Sequence, residues 1–375
     1  MTEVREHLLK LVRIDSVSSV SNRGVIDYAT STLTLAGWST REISYYDAAG
    51  VEKINLIAAP PRQDCSDRSV DLAFVCHTDT VPPSATWTNA LSPFVRDGFL
   101  HGCGACDVKG FLACLLTAAS AVAPDDFAEG MRIVLTADEE IGCLGTKHLL
   151  AQDAIRPKRL VIGEPTSLCV ARAGKGYCLA EIVISGVEAH SALPAHGSSA
   201  IYAASRLIQE IEHLALDLEA KKHSLFSPPF TTLNVGTISG GTAKNIIPGR
   251  CRFLLEWRPI PGLPVEYVVD AVKSMVEEIR ATDHRLKFEI NVLRQQAGFE
   301  TSEDADLVVL LQNASGRQAT SIPFGSEASL FGPVTEQAVV FGPGDMASAH
   351  SDRERISLAE LDEAVGILQK LMTRR

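Results

Sequence analysis

Apolar runs alternate with amphipathic stretches along this chain, and their spacing predicts most of its elements. The opening segment MTEVREHLLKLVRIDSVSS interleaves charged and apolar residues without an unbroken apolar stretch. It predicts an amphipathic helix, neither a signal peptide nor a membrane span. TREISYY and EKINLIAA follow as a strand pair. DLAFVCHTD is apolar on both faces, as a strand buried in the centre of a sheet must be. Helix DVKGFLACLLTAASAVA, strand MRIVLTADEE, helix LGTKHLLAQD and strand RLVIGEP come next. Strands alternating with helices of this length predict an α/β layer, with helices flanking a mixed, largely parallel sheet.

From about residue 172 the pattern changes. LAEIVISG reads as a strand, GSSAIYAASRLIQEIEHLALDLEA as a long amphipathic helix, and TTLNVGTISG and CRFLLEWRP as two strands. Helix VEYVVDAVKSMVEEIRA and strand LKFEINVL complete a β-α-β-β-α-β order, the pattern of a four-stranded ferredoxin-like α+β domain. Beyond roughly residue 293 the first pattern returns, with helix EDADLVVLLQNA, strand TEQAVVFGPG and a closing helix from Ser357 to about Met372. The expected organisation is a first domain of residues 1–171 and 293–375, interrupted by an inserted domain of residues 172–292.

Composition narrows the class. A length of 375 residues exceeds what one core usually supports, which agrees with two domains. A net charge of −11 with no basic run argues against nucleic acid as a partner. The nine cysteines are an odd number and fall mostly inside apolar runs, which fits a reducing cytoplasm better than a disulfide framework. Cys103 and Cys106 have CxxC spacing, but without a second pair they read as a glycine-rich turn carrying thiols.

Metal-type ligands occur in five stretches, at the ends of apolar runs or in glycine-rich loops: His77-Thr78-Asp79, Asp107, Glu139-Glu140, Glu164 and His350. Such positions present side chains from a rigid scaffold to a shared cleft. His77 and Asp79 end a buried strand two residues apart, so both point to one side. That spacing suits a histidine ligand oriented by a carboxylate on its other ring nitrogen. Asp107, in HGCGACDVKG, reads either as a helix N-cap or as a carboxylate bridging two cations. Glu139 and Glu140 follow an apolar strand, and neighbouring residues cannot both face one ion. Glu140 is therefore assigned to metal and Glu139 to general base. Glu164 ends the next strand, where Pro165 stops further pairing, and His350 lies in the loop GPGDMASAH. Two histidines with several carboxylates form the donor set of two zinc-like ions about 3.5–4 Å apart, the geometry of two-metal hydrolysis. Two divalent ions carry four positive charges. Asp107, Glu140 and Glu164 supply three negative ones, leaving one for a hydroxide.

In these stretches the chain resembles the zinc-dependent amidohydrolase and exopeptidase family of acetylornithine deacetylase, succinyl-diaminopimelate desuccinylase, aminoacylases and glutamate carboxypeptidases. FVCHTDTVP, GCGACDVKG, TADEEIGCLGT, GEPTS, GVEAHSALP, GGTAKNIIPG and GPGDMASAH come in that family's order over essentially the whole chain. GEPTSL, FGSEASLF and GPGDMASAH look most like the acetylornithine deacetylases within it. The resemblance implies His77, Asp107, Glu140, Glu164 and His350 as metal ligands, with Asp107 bridging two Zn2+ per subunit and Co2+ able to substitute. It implies Asp79 as the carboxylate supporting the site and Glu139 as the base that activates water and then protonates the leaving amine. It also implies that the inserted domain is a lid through which two subunits dimerise, with His190 reaching the partner's site to polarise the scissile carbonyl. Asn245 and Arg258 match positions that hold a substrate carboxylate. Lys175 is a further candidate for such a contact, and Glu327 for touching substrate or ordering the site. Cys106 departs from the family pattern, where a small or hydroxyl residue is common, and leaves the ligand set intact.

Blander readings stand beside these. His190 also reads as a structural loop histidine, Arg258 as a surface ion-pair partner and Asn245 as a turn cap. The resulting expectation is a cytoplasmic homodimer that hydrolyses the amide of an N-acetyl amino acid, N2-acetylornithine first, in arginine biosynthesis. N-acetylcitrulline, N-acetyllysine, another N-acyl amino acid, or a carboxypeptidase or dipeptidase activity stay open, because the acyl and side-chain pockets are not legible. A desuccinylase would need more cationic groups than Lys175 and Arg172 offer. A non-catalytic member would have lost a ligand or the base, and all of them are present.

Overall fold

The structure, a computed structural model, describes residues 2–373. Its described residues form two compact units. The first comprises Met1–Arg172, Glu300–Thr320 and Ser326–Arg375; the second comprises Ala173–Phe299 with Ser321–Gly325.

In the first unit a mixed sheet runs in the order Ser39–Tyr46, Glu52–Ala59, Met131–Thr136, Ser69–His77, Arg156–Ile162, Gln337–Val340. The first two interfaces are antiparallel and the next three parallel. Ser39–Tyr46 alternates half-buried with exposed positions, as an edge strand should, whereas Ser69–His77 is buried throughout from Leu72 onward. Helices Glu3–Val12, Arg23–Leu35, Lys109–Ala121 and Leu358–Met372 share one core with Phe74, Cys76 and Ile133. Lys109–Ala121 is buried on every side from Lys109 to Ala119, which is why its apolar residues run almost unbroken. Each fully buried Leu or Phe there contributes roughly 1.5–3 kcal/mol.

The parallel register levels the strand ends. His77 lies opposite Thr136, Val75 opposite Ile162, and Val340 also opposite Ile162. The loops that follow these strands therefore open along one edge, the carboxyl edge at which open α/β sheets place their ligands.

The second unit is a four-stranded antiparallel sheet ordered Thr232–Gly240, Arg250–Arg258, Tyr177–Ser185, Lys287–Gln296. Helices Ala200–Leu218 and Tyr267–Thr282 bury Leu207, Ile211, Val272 and Val276 against Ile182, Phe253 and Trp257. The unit ends later than the expected division at 292/293. After a register shift at Val292/Arg294 the last strand keeps pairing, through Arg294–Leu179 to Gln296–Tyr177. Backbone hydrogen bonding thus carries residues 293–296 into this sheet, and Ser321–Gly325 also belong here. All nine cysteines are free thiols, seven of them buried. No helix among the described residues is long and apolar enough to cross a membrane.

Candidate active site

The loops at the carboxyl edge of the first unit bring together side chains that are far apart in the chain. His77 closes its strand almost fully buried. Its Nε2 lies 3.1 Å from Oδ1 of Asp107 and 3.9 Å from Oε1 of Glu164. Nε2 of His350 lies 3.1 Å from Oδ2 of Asp107 and 3.2 Å from Oε1 of Glu140. Asp107 therefore turns one carboxylate oxygen toward each imidazole. Two trios result, His77–Asp107–Glu164 and His350–Asp107–Glu140, with Asp107 common to both. Ligand atoms of His77, Asp107 and Glu140 all fall within 4.8 Å of one another.

Burial dominates the electrostatics. It pushes the Glu139 carboxyl up to about 8, with repulsion from Glu140 and Glu327 adding to it and His77 opposing. It also drives Glu164 well above the ordinary range, helped by the charge of Asp107, and raises Glu140. For Asp107 burial acts upward, but hydrogen bonds with His350 and His77 outweigh it and hold the carboxyl below its usual value. Those same bonds, to Asp107 and Glu140, lift His350 to about 10. Four largely buried carboxylates thus crowd the buried His77 and the half-exposed His350, an arrangement that protons or cations can neutralise. Divalent cations fit this donor set. Each trio offers one imidazole nitrogen and carboxylate oxygens from three protein groups, the ligand chemistry of zinc-class ions.

Asp79 faces the other ring nitrogen of His77, as the HxD spacing suggests, but it is not the nearest acceptor there. Nδ1 of His77 is 3.0 Å from the backbone carbonyl of Asp79 and 3.6 Å from its carboxylate. The Nδ1 N–H thus donates to a main-chain oxygen, which turns Nε2 toward Asp107 and, in the neutral ring, leaves its lone pair for a cation. The buried carboxylate also accepts the backbone N–H of Glu139 at 3.0 Å, the N–H of Glu140 at 3.2 Å and the Ser18 hydroxyl at 2.7 Å. It locks the turn that carries both glutamates. The residue before them, Asp138, has a left-handed φ of 56°. Its carboxylate pairs with buried Lys53 at 3.0 Å and accepts the Tyr45 hydroxyl at 2.8 Å. The Cys143 thiol donates to Oε1 of Glu139 at 3.2 Å. Glu327 is fully buried and accepts the Thr146 hydroxyl.

The remaining predicted residues belong to the second unit. His190 is exposed in a two-residue strand opposite Ile246, and its Nδ1 accepts the N–H of Ala192 at 3.0 Å, which places the ring proton on Nε2. Asn245 lies beside it, its carbonyl accepting the N–H of Ser191. Arg258 pairs with Glu256 at 2.6 Å and stacks on Tyr177, 4.3 Å from the ring centre. Lys175 is buried and donates to the carbonyl of Phe230 at 2.6 Å. Ser18, Lys53 and Cys143 were not foreseen. Ser18 and Lys53 sit in segments whose residue types carry no signal of a site, Cys143 lies in the TADEEIGCLGT motif without ligand spacing, and the fold brings them to Asp79, Asp138 and Glu139 respectively.

Residues 73–374, which include every candidate site residue, match Peptidase family M20/M25/M40. The chain belongs to this family. As an M20 family member it is a hydrolase. It is 43% identical over 368 residues to an acetylornithine deacetylase of Myxococcus xanthus, covering 98% of this chain and 96% of that relative. The M20 fold extends to a solved tripeptidase from Staphylococcus aureus, with a TM-score of 0.78 at 22% identity over 99% of this chain and 97% of the other. A Bacillus subtilis protein described as a dinuclear metal-binding peptidase of the M20 family aligns with a TM-score of 0.68 at 15% identity, over 98% and 96% of the two chains.

Proposed function

We propose that this protein is a dinuclear zinc amidohydrolase that removes the acetyl group from the α-nitrogen of an amino acid, N2-acetylornithine in the first place, giving ornithine and acetate for arginine biosynthesis. The observation that carries the reading is the pair of trios meeting at Asp107. His77, Asp107 and Glu164 would hold one cation and His350, Asp107 and Glu140 the other, zinc or, as a substitute, cobalt. When bound, the cations supply Lewis acidity toward the amide carbonyl and lower the pKa of water toward ~7. Glu139 takes the proton from the attacking water and delivers it to the leaving amine. Its neighbour Glu140 is engaged with His350, whereas Glu139 is met by a thiol, which leaves it the freer carboxylate for proton transfer.

The second unit is read as a lid and dimerisation domain. His190, with its proton on Nε2, is suited to stabilise an oxyanion in the partner subunit. Arg258 and Asn245 would take the substrate carboxylate, Arg258 exchanging Glu256 for it. Lys175 is the weaker candidate, since its ammonium is already spoken for by Phe230. Free, mostly buried thiols support a reducing cytoplasm as the working compartment.

The test is a hydrolysis panel on zinc- or cobalt-loaded protein: N-acetylornithine, N-acetylcitrulline, N-acetyllysine, N-succinyl-diaminopimelate and simple dipeptides. The expected result is the highest kcat/KM on N-acetylornithine, abolished by chelation and restored by either metal. Faster turnover of dipeptides than of every acetylated amino acid would move the protein to the peptidase branch.

A further inference from the structure

Four residues after His350, in the strongly charged stretch HSDRERIS, Glu354 is 3% exposed. Its carboxylate is enclosed by the loop that carries Asp107. Oε2 accepts the N–H of Gly104 at 2.9 Å, while Oε1 accepts the N–H of Cys106 at 2.9 Å and the N–H of Asp107 itself at 3.0 Å. The backbone carbonyl of Glu354 takes the N–H of Gly102 at 3.3 Å. The loop thus wraps one buried anion with converging amide dipoles, as backbone nests do. It has little freedom to do otherwise. Gly104 has a φ of +75°, and a Cβ there would come within 2.7 Å of the Thr80 methyl.

We infer that Glu354 is the positioning residue for the shared carboxylate: by holding the amide of Asp107 it aims one oxygen at each imidazole. This rests on the reading of Asp107 as the ligand common to two cations. One short segment, residues 350–354, then supplies both a donor of one trio and the clamp on the residue that joins the two. A two-oxygen anion is needed because donors converge from two directions. Glutamine offers one oxygen, and its NH2 group must face an amide N–H. Sites of this kind tolerate about 0.5 Å of drift, so a loosened loop removes a donor from both cations at once.

Three measurements on the full chain decide the matter. In metal-free wild type, the amides of Gly104, Cys106 and Asp107 should exchange hydrogen slowly; exchange at the rate of exposed loop amides overturns the clamp, and this holds even if the variant fails to fold. In Glu354→Gln, zinc affinity measured by chelator competition should fall by roughly 10- to 100-fold. At saturating zinc its kcat on N-acetylornithine should also fall, with KM nearly unchanged. A folded Glu354→Gln that takes up two zinc ions with wild-type affinity and turnover refutes the role of Glu354 alone. A wild-type chain that takes up no zinc refutes the metal-centre reading instead.

Discussion

Asp79 offers the sharpest test of how the site is built, because its carboxylate serves the main chain of the two glutamates as well as facing the His77 ring. In Asp79→Asn the oxygen facing Glu139 can keep its N–H, and the new NH2 can donate to the Ser18 hydroxyl. The N–H of Glu140 then meets a donor and loses its partner. Hydrogen bonds to a charged group contribute about 1.5–3 kcal/mol each, so the loss of one, with the charge, should cost about 2 kcal/mol. Asp79→Ala orphans both amide donors, leaves the Ser18 hydroxyl only the more distant Thr80 carbonyl at 3.4 Å, and should cost about 4 kcal/mol. The pH dependence has a definite sign. Burial raises this carboxyl, but His77, Ser18 and the Glu139 amide outweigh it, so its folded value is depressed. A depressed carboxyl contributes stability that is present above its unfolded value of about 4 and lost as pH falls through the folded value. Urea unfolding of the metal-free protein should therefore separate wild type from Asp79→Asn fully at pH 7, with the gap closing below pH 4. Turnover should fall through kcat, because Glu139 loses its aim. An Asp79→Asn protein with a wild-type urea midpoint and unchanged kcat at pH 7 would refute the lock.

Other consequences are equally measurable. Glu139→Gln should keep both zinc ions and lose roughly 10²–10⁴ in kcat; near-normal turnover with metal bound would exclude it as the base. His350, raised to about 10 by Asp107 and Glu140, contributes stability that is present below its ordinary value near 6.5 and lost as pH rises through 10. A cation must displace that proton, so zinc affinity should climb between pH 6 and 10 with proton release. Calorimetry in buffers of different ionisation heat reads this, and a buffer-independent heat contradicts it. Gly163→Ala would put a methyl 2.0 Å from the ring of Phe111. The buried ring cannot yield, so a loss of about 1–3 kcal/mol in thermal unfolding is expected, with zinc stoichiometry reduced because Glu164 is next in the chain; unchanged melting would show that the strand end gives way instead.

The strand ends were legible because each candidate ligand there follows an apolar run long enough to mark a buried strand, and parallel pairing then levels those ends. His77, Glu140 and Glu164 are found this way. Asp107 was ambiguous alone, since a carboxylate before a helix is usually a cap, and only the fold shows its two oxygens divided between two imidazoles. For Asp79 the spacing gives the side it faces, toward His77, and misses its bonds to the Glu139 and Glu140 amides. Alternation along a strand predicts which side a residue faces, but its actual partners depend on how the turn at Asp138 folds back, which no local pattern dictates. Glu354 and Lys53 were invisible for the opposite reason. A charged residue in a polar stretch normally remains in water, and here each is buried by backbone groups supplied from remote segments. Lys175 was expected to be available to substrate, yet its length lets the ammonium reach a main-chain carbonyl inside its own unit.

All members of the trio His77–Asp107–Glu164 precede residue 172, and so does Glu140, whereas His350 and Glu354 follow the excursion through the second unit. Ribosomal synthesis therefore delivers the halves of the centre at different times. Glu354 holds the loop that carries Asp107, and Leu361, Leu368 and Met372 share a core with Phe111 and Leu115 of the helix after it, so the arrangement around Asp107 is set only once the tail has been made.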